Sequence, residues 1–314
     1  MTAAARAVLC VSIDCECDKG PAWRTRRPLA FEGVHVGIAE RLHPLFQRFG
    51  AKPTYLLSPE LFRDARCIER LAALEGCELG THLHGELAEP GAFEPDVTNA
   101  VQRDYPRDVE EAKLAWLTEA FRAAFGRAPR SFRAGRFGLG ESTVSLLDAL
   151  GYAVESSVTP HVDWSDVSPG LSFVGAPTQP YHPDPRRPSQ RGEARLLEVP
   201  VTILPSPLAR VPLLGKHVEH RWLRPTRSSG QALVAIAREA VDAEQREHPG
   251  RTVVLNAMFH NVEVCAGTSP YASTEDEARR IVDRVAALLE HCRGEGIPCV
   301  GLEDVPEVLA TSPS

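Results

Sequence analysis

The side chains of this sequence best suited to chemistry fall into four short clusters, each at the end of an apolar run. Asp14 and Glu16 stand in SIDCECD, and His82, His84 and Glu86 in ELGTHLHGE; Arg133 and Arg136 stand in FRAGRFG, and His260 and Glu263 in LNAMFHNVE. Imidazole and carboxylate groups suit zinc, cobalt, nickel, iron or manganese. Two His and one carboxylate around a divalent ion, with positions left open, polarise a carbonyl and bring the pKa of water towards neutrality. Hydrolysis of an amide or ester then needs a base for the water's proton and an acid for the leaving nitrogen or oxygen. Asp14 is the candidate base and His260 the candidate acid.

Each cluster also has a plain structural explanation. A lone Asp at a strand end commonly caps a helix or turn, and a lone His there is more often a hydrogen-bonded partner than a ligand. THLH is harder to explain that way. Along a strand, alternation turns His82 and His84 to one side, about 6–7 Å apart. Glu86 adds a third group able to bind metal. A divalent-metal site using part of this cluster is therefore expected, and thiolate ligation by Cys15 or Cys17 is the weaker alternative.

Holding these clusters together requires strands. Residues 7–14, 53–58, 77–84, 131–135, 152–158, 196–204, 252–260 and 297–302 have the apolar, often β-branched character of buried strands. Helical spacing predicts helices over 33–49, 59–74, 107–126, 141–150, 228–247 and 274–293. This alternation, without repeats or a break in composition, predicts one α/β barrel domain over residues 1–314. An open doubly wound sheet is the rival, but it normally carries a glycine-rich phosphate loop after its first strand, which is missing here. In either fold the C-terminal strand ends share one rim, so the four clusters converge. Residues 159–192 are a Pro-rich excursion carrying Trp164, Tyr181 and His182. It reads as a surface decoration or oligomer contact, with a lid over the site as the alternative.

Composition narrows the function classes. A net charge of −7 weighs against nucleic acid or an anionic membrane as partner. The eight cysteines are irregularly spaced with no CxxC pair, as in a reduced, cytoplasmic protein. Neither a signal peptide nor a membrane span is visible.

The four motifs, in this order and spacing, resemble the polysaccharide deacetylase family, metal-dependent hydrolases that remove N- or O-acetyl groups from sugars. SIDCECD is similar to the family's Asp motif, ELGTHLHGE to its His motif, FRAGRFG to its Arg motif with an aromatic-Gly, and LNAMFHNVE to its last motif. The resemblance implies a distorted (β/α) barrel of seven strands. It also implies Asp14 as catalytic base, Arg133 as its charge partner and His260 as general acid. Typical members carry two adjacent Asp residues, the second binding metal, whereas Cys15 follows Asp14 here. Glu16, one residue further on, then takes the metal role, or Asp14 itself does. Their His motif spaces two His four apart, but four beyond His82 is Glu86, so either His84 or Glu86 completes the shell. The preferred ligands are Glu16, His82 and His84, with zinc ahead of cobalt, nickel, iron or manganese.

The expected activity is removal of an N-acetyl or O-acetyl group from a sugar or glycan precursor. Opening of a cyclic amide on a small metabolite is one alternative, and a non-catalytic sugar-binding homologue is another. A nucleotide-dependent enzyme lacks support without a phosphate-cradling loop.

Overall fold

Every residue of β1 (Ala7–Cys15) is buried, as an unbroken apolar run predicts for a strand covered on both faces. The computed structural model describes residues 6–94, 97, 100–206 and 219–311. After β1, a π-helical stretch (Gly33–Leu42) runs into α1 (His43–Phe49), which ends at the left-handed Gly50. There follow β2 (Thr54–Leu57), α2 (Ala65–Ala72), β3 (Glu78–Leu83), α3 (Arg107–Phe125), β4 (Ser131–Ala134) and α4 (Thr143–Leu150). Next come β5 (Val154–Glu155), β6 (Leu197–Glu198), β7 (Ile203–Leu204), β8 (Arg221–Trp222) and α5 (Gly230–Glu247). The chain closes with β9 (Val253–His260), α6 (Glu275–Gly294) and α7 (Val305–Ala310).

Seven strands form one parallel sheet in the order β6-β5-β4-β3-β2-β1-β9. The sheet curls into a distorted (β/α) barrel that is open between β6 and β9, as the alternation predicts apart from the gap. Hydrogen bonds between β9 and Thr202, Val199 and Gln179 span that gap. Thr202 N donates to Asn256 O (2.9 Å). The Gln179 amide brackets Val254, accepting from its N–H at 2.8 Å and donating to its carbonyl at 3.3 Å. A side-chain amide thus serves β9 as a neighbouring strand would, meeting backbone groups that an edge leaves unpaired.

Period-two alternation sorts β1 into two faces. Ile13, Cys15 and Cys17 join the main apolar core with Phe46, Leu233 and Ile281. Val8 and Cys10 pack with Leu56, Val154, Val254 and Leu302 in a separate apolar cluster. Further along that second face come Ser12 and Asp14, which meet Arg133.

Four sequence expectations need correction. The helix over 59–74 is a 3₁₀ turn (Pro59–Arg63) and α2, separated by an extended Asp64 whose carboxylate caps α2 by accepting from Cys67 N (2.8 Å). Within 152–158 only β5 joins the ladder. The strand over 196–204 divides at Pro200, which has no N–H for a ladder. Its first part is β6, and its second, β7, pairs antiparallel with β8 in a separate two-stranded sheet. Residues 297–302 make only one bridge, Cys299 to Leu9, before a 3₁₀ turn and the unpredicted α7. The β2 ladder starts only at Ser12, so the Leu9 backbone is left to bond Pro298 and Val300. Among the described residues, no helix is long and apolar enough to cross a membrane.

Candidate metal centre and active site

Strand register brings the four clusters together. Asp14 is the β-partner of His260, and His82 is the partner of Arg133. Glu16 lies one residue beyond β1, and Asn261 fixes its backbone. The Asn261 side chain accepts from Glu16 N (2.9 Å) and donates to Glu16 O (3.0 Å). Asp14, Glu16, His82, His84 and His260 border a cavity of about 400 Å³, while Arg133, Asn261 and Glu263 are buried behind it.

At its base, Glu16, His82 and His84 hold ligand-type atoms within 4.8 Å of one another, all three residues buried. Glu16 Oε1 is 3.1 Å from His84 Nε2 and 3.4 Å from His82 Nε2. The donor set fits a divalent ion. His82 Nδ1 lies 3.0 Å from the Arg133 carbonyl, which can only accept, so Nδ1 carries the proton. Nε2 is then a lone-pair nitrogen, buried without a hydrogen-bond partner and turned towards Glu16. His84 Nδ1 meets the Glu86 carboxylate at 3.2 Å, the outer-shell pairing that orients ligating imidazoles. Glu86 is bound in turn by Arg136 (2.7 Å), which favours a role behind His84.

Charge is balanced group by group. Burial pushes the Asp14 carboxyl upward, but Arg133, His82 and His260 outweigh it and hold the pKa below the usual value. Arg133 is fully buried; its Nη1 donates to Asp14 Oδ1 at 2.7 Å, its Nη2 to Ser12 and Ser156, and its Nε to the Ser156 carbonyl. Burial likewise opposes ionisation of Glu16, yet Lys19 and His84 keep it well below the carboxylate range. Lys19 Nζ is 2.9 Å from Glu16 Oε2. Against burial, Glu16 and Glu86 raise His84 to about 9.

On the far side, His260 Nε2 faces Asp14 Oδ2 at 3.9 Å and Nδ1 meets Glu263 Oε1 at 2.8 Å. Glu263 is also paired with Arg224. Burial works against its charge, but Arg224 and His260 keep its pKa lowered. The base and acid candidates thus converge across the cavity.

Sequence reasoning missed Lys19, Trp23 and Arg224, all bordering the cavity. Lys19 follows Glu16 by three residues, a weak signal; Trp23 and Arg224 sit in loops with none. Of the excursion's three marked residues only Trp164 borders the cavity. Tyr181 is buried beside β6, bridging to Glu198, and His182 is exposed. Cys15 and Cys17 are buried in the main apolar cluster, where burial raises both thiols, and the Cys17 sulfur accepts from Lys19 Nζ at 3.7 Å. His35, Asp64 and Cys67 also hold ligand-type atoms within 4.8 Å of one another, away from this cavity; there Asp64 is engaged as the α2 cap.

No family model matches the chain, and no curated protein matches it. Solved structures do. A candidate polysaccharide deacetylase from Mycobacterium smegmatis is 18% identical, with 99% of this chain and 95% of that one covered and a TM-score of 0.55. A candidate glycoside hydrolase/deacetylase from Parabacteroides distasonis is 11% identical, covering 98% of this chain and 72% of that one, with a TM-score of 0.63. The Puue allantoinase is 14% identical, covering 100% and 94%, with a TM-score of 0.59. At these identities the likeness is one of fold. Together, the barrel and its buried metal-competent cluster support a metal-dependent hydrolase as the class.

Proposed function

We propose that the protein is a metal-dependent deacetylase or amidohydrolase that cleaves a non-peptide acyl C–N bond, or the corresponding ester, on a small molecule. Removal of an N- or O-acetyl group from a sugar or glycan precursor is the reaction its motifs suggest. The single observation that carries the reading is His82. Its Nδ1 is committed to a carbonyl, and its buried Nε2 has no partner except the space shared with Glu16 and His84. Glu16, His82 and His84 would hold the ion, zinc first, with cobalt, nickel, iron and manganese compatible. When bound, it supplies Lewis acidity towards the acyl oxygen and water.

The chain's own groups move the protons. Asp14, kept ionised by Arg133, takes a proton from the attacking water, whose oxygen bonds to the acyl carbon. His260 gives a proton to the leaving nitrogen or oxygen as the acyl bond breaks, and Glu263 holds its Nδ1. With all eight cysteines free, we place the protein in the cytoplasm.

Metal analysis tests this reading. We expect about one divalent ion per chain, reduced in His82→Ala and His84→Ala, while His260→Ala keeps the metal and lowers turnover on the order of 10²-fold or more. Protein that takes up no divalent ion after reconstitution would end the hydrolase reading.

A further inference from the structure

The walls of the cavity differ in character from its base. The base is charged, and its charges are committed to one another: Asp14 to Arg133, Glu16 to Lys19, and Glu86 to Arg136. Arg224, in the wall, is paired with Glu263. The Trp164 indole N–H donates to Thr159 (2.8 Å). The large surfaces left to meet a ligand are aromatic and aliphatic. Trp23 and Tyr271 meet edge-on at 5.5 Å beside His260, while Phe137 and Trp164 stack at 5.5 Å.

Two further observations mark these walls as built for a ligand. Five non-glycine residues among those described have a left-handed backbone, and four of them border the cavity: Ala22 and Trp23 (φ 58°), and Arg136 and Phe137 (φ 54°). Side chains disfavour that conformation, and such strain gathers at ligand-binding positions. Each strained pair puts one aromatic ring into the wall. In addition, of the three exposed large hydrophobic residues among those described, Val167 and Tyr271 border this cavity. Exposed apolar surface gathered at one cleft marks a binding site.

We infer that the cavity takes a substrate whose non-reacting part is apolar and about one or two rings in size, in contrast to a hydroxyl-rich glycan chain. A sugar polymer presents many hydroxyls, each of which loses water on entry and needs a hydrogen-bonding partner in return. Aromatic walls meet a flat apolar body without that requirement. The volume of about 400 Å³ falls at the low end for small-molecule sites. This rests on the hydrolase reading for the reaction, but not for the binding, and it narrows that reading to the small-molecule amide or ester in place of the sugar that the motifs suggest.

The test uses metal-loaded protein and three probes: acetanilide, N-acetylglucosamine and tri-N-acetylchitotriose. Stopped-flow tryptophan fluorescence reports binding before turnover, and amine release reports hydrolysis. Acetanilide is expected to bind about tenfold tighter than either sugar, and Trp23→Leu or Trp164→Leu to weaken it by about the same factor with metal content unchanged. Equal or tighter binding of a sugar, no acetanilide binding, or indifference to both Trp substitutions overturns the inference. Sugar hydrolysis in that event leaves the hydrolase reading standing. Tight, Trp-dependent acetanilide binding without release of amine from any probe upholds the inference and defeats the hydrolase reading.

Discussion

Two histidines of the site are set by what their Nδ1 atoms touch. His82 donates to a backbone carbonyl, which leaves Nε2 as a lone pair in a buried space. His260 instead meets Glu263 at 2.8 Å, and a carboxylate there stabilises the ring when it carries a second proton. Glu263→Gln preserves the shape and removes the charge. Its expected effect is a fall in kcat on the order of tenfold or more, with the metal retained. Steady-state kinetics beside metal analysis checks this, and an unchanged kcat would remove Glu263 from the machinery. At this scale the sequence was informative about side-chain type. Asp14, Glu16, His82, His84, Arg133 and His260 are the residues that meet. It was silent about Trp23 and Arg224, because nothing local marks a loop side chain that reaches a distant strand end.

Elements decide how tightly those residues are held. In the FRAGRFG motif, Gly135 follows β4 directly. A Cβ there would lie 2.6 Å from the Leu83 carbonyl and 3.1 Å from the His84 ring. Gly135→Ala must therefore displace the Leu83 backbone and crowd the His84 ring between Glu16 and Glu86. We expect metal affinity to fall on the order of tenfold, as when outer-shell contacts are lost. Competition with a chromogenic chelator measures it, and wild-type affinity would show that the neighbours yield freely. Most elements were readable from pattern. The buried face of α5 is Leu233, Ile236, Ala237, Ala240 and Val241, the face its helical spacing marks. Thr274 and Glu277 form the capping box that starts α6. The extent of short strands was not readable: β5 and β6 fall inside the expected 152–158 and 196–204, but each is only two residues long and takes its conformation from neighbouring strands.

At the scale of the whole barrel, two buried glutamates, Glu155 and Glu198, pair in register at the ends of β5 and β6, on the opposite face of the sheet from Val154 and Leu197. Glu198, at the end of β6, is fully buried near Glu155, and burial and that neighbour raise its pKa well above the usual value. An unfolded Glu ionises near 4.3, so between that pH and the folded value the native state binds the extra proton. Stability contributed by this group is thus present at low pH and lost as pH rises. Glu198→Gln removes the titration. The substitution should raise the unfolding midpoint at pH 7 relative to wild type, and the difference should shrink towards pH 4. Thermal melts at several pH values follow this; a gap independent of pH would rule out the buried proton.

The sequence by itself determined the alternation of strands and helices and the side chains that gather at the strand ends. Both are local: a period of two or of 3.6 residues needs no knowledge of the rest of the chain. Only the tertiary structure decided which carboxylate meets which base. Glu16 found Lys19, His84 and Asn261; Glu86 found Arg136; and Trp164 came to the cavity while Tyr181 packed behind β6. Such pairings join residues up to 245 positions apart. They depend on strand register, and on a gap between β6 and β9 spanned by Gln179 and Thr202, which no local pattern encodes.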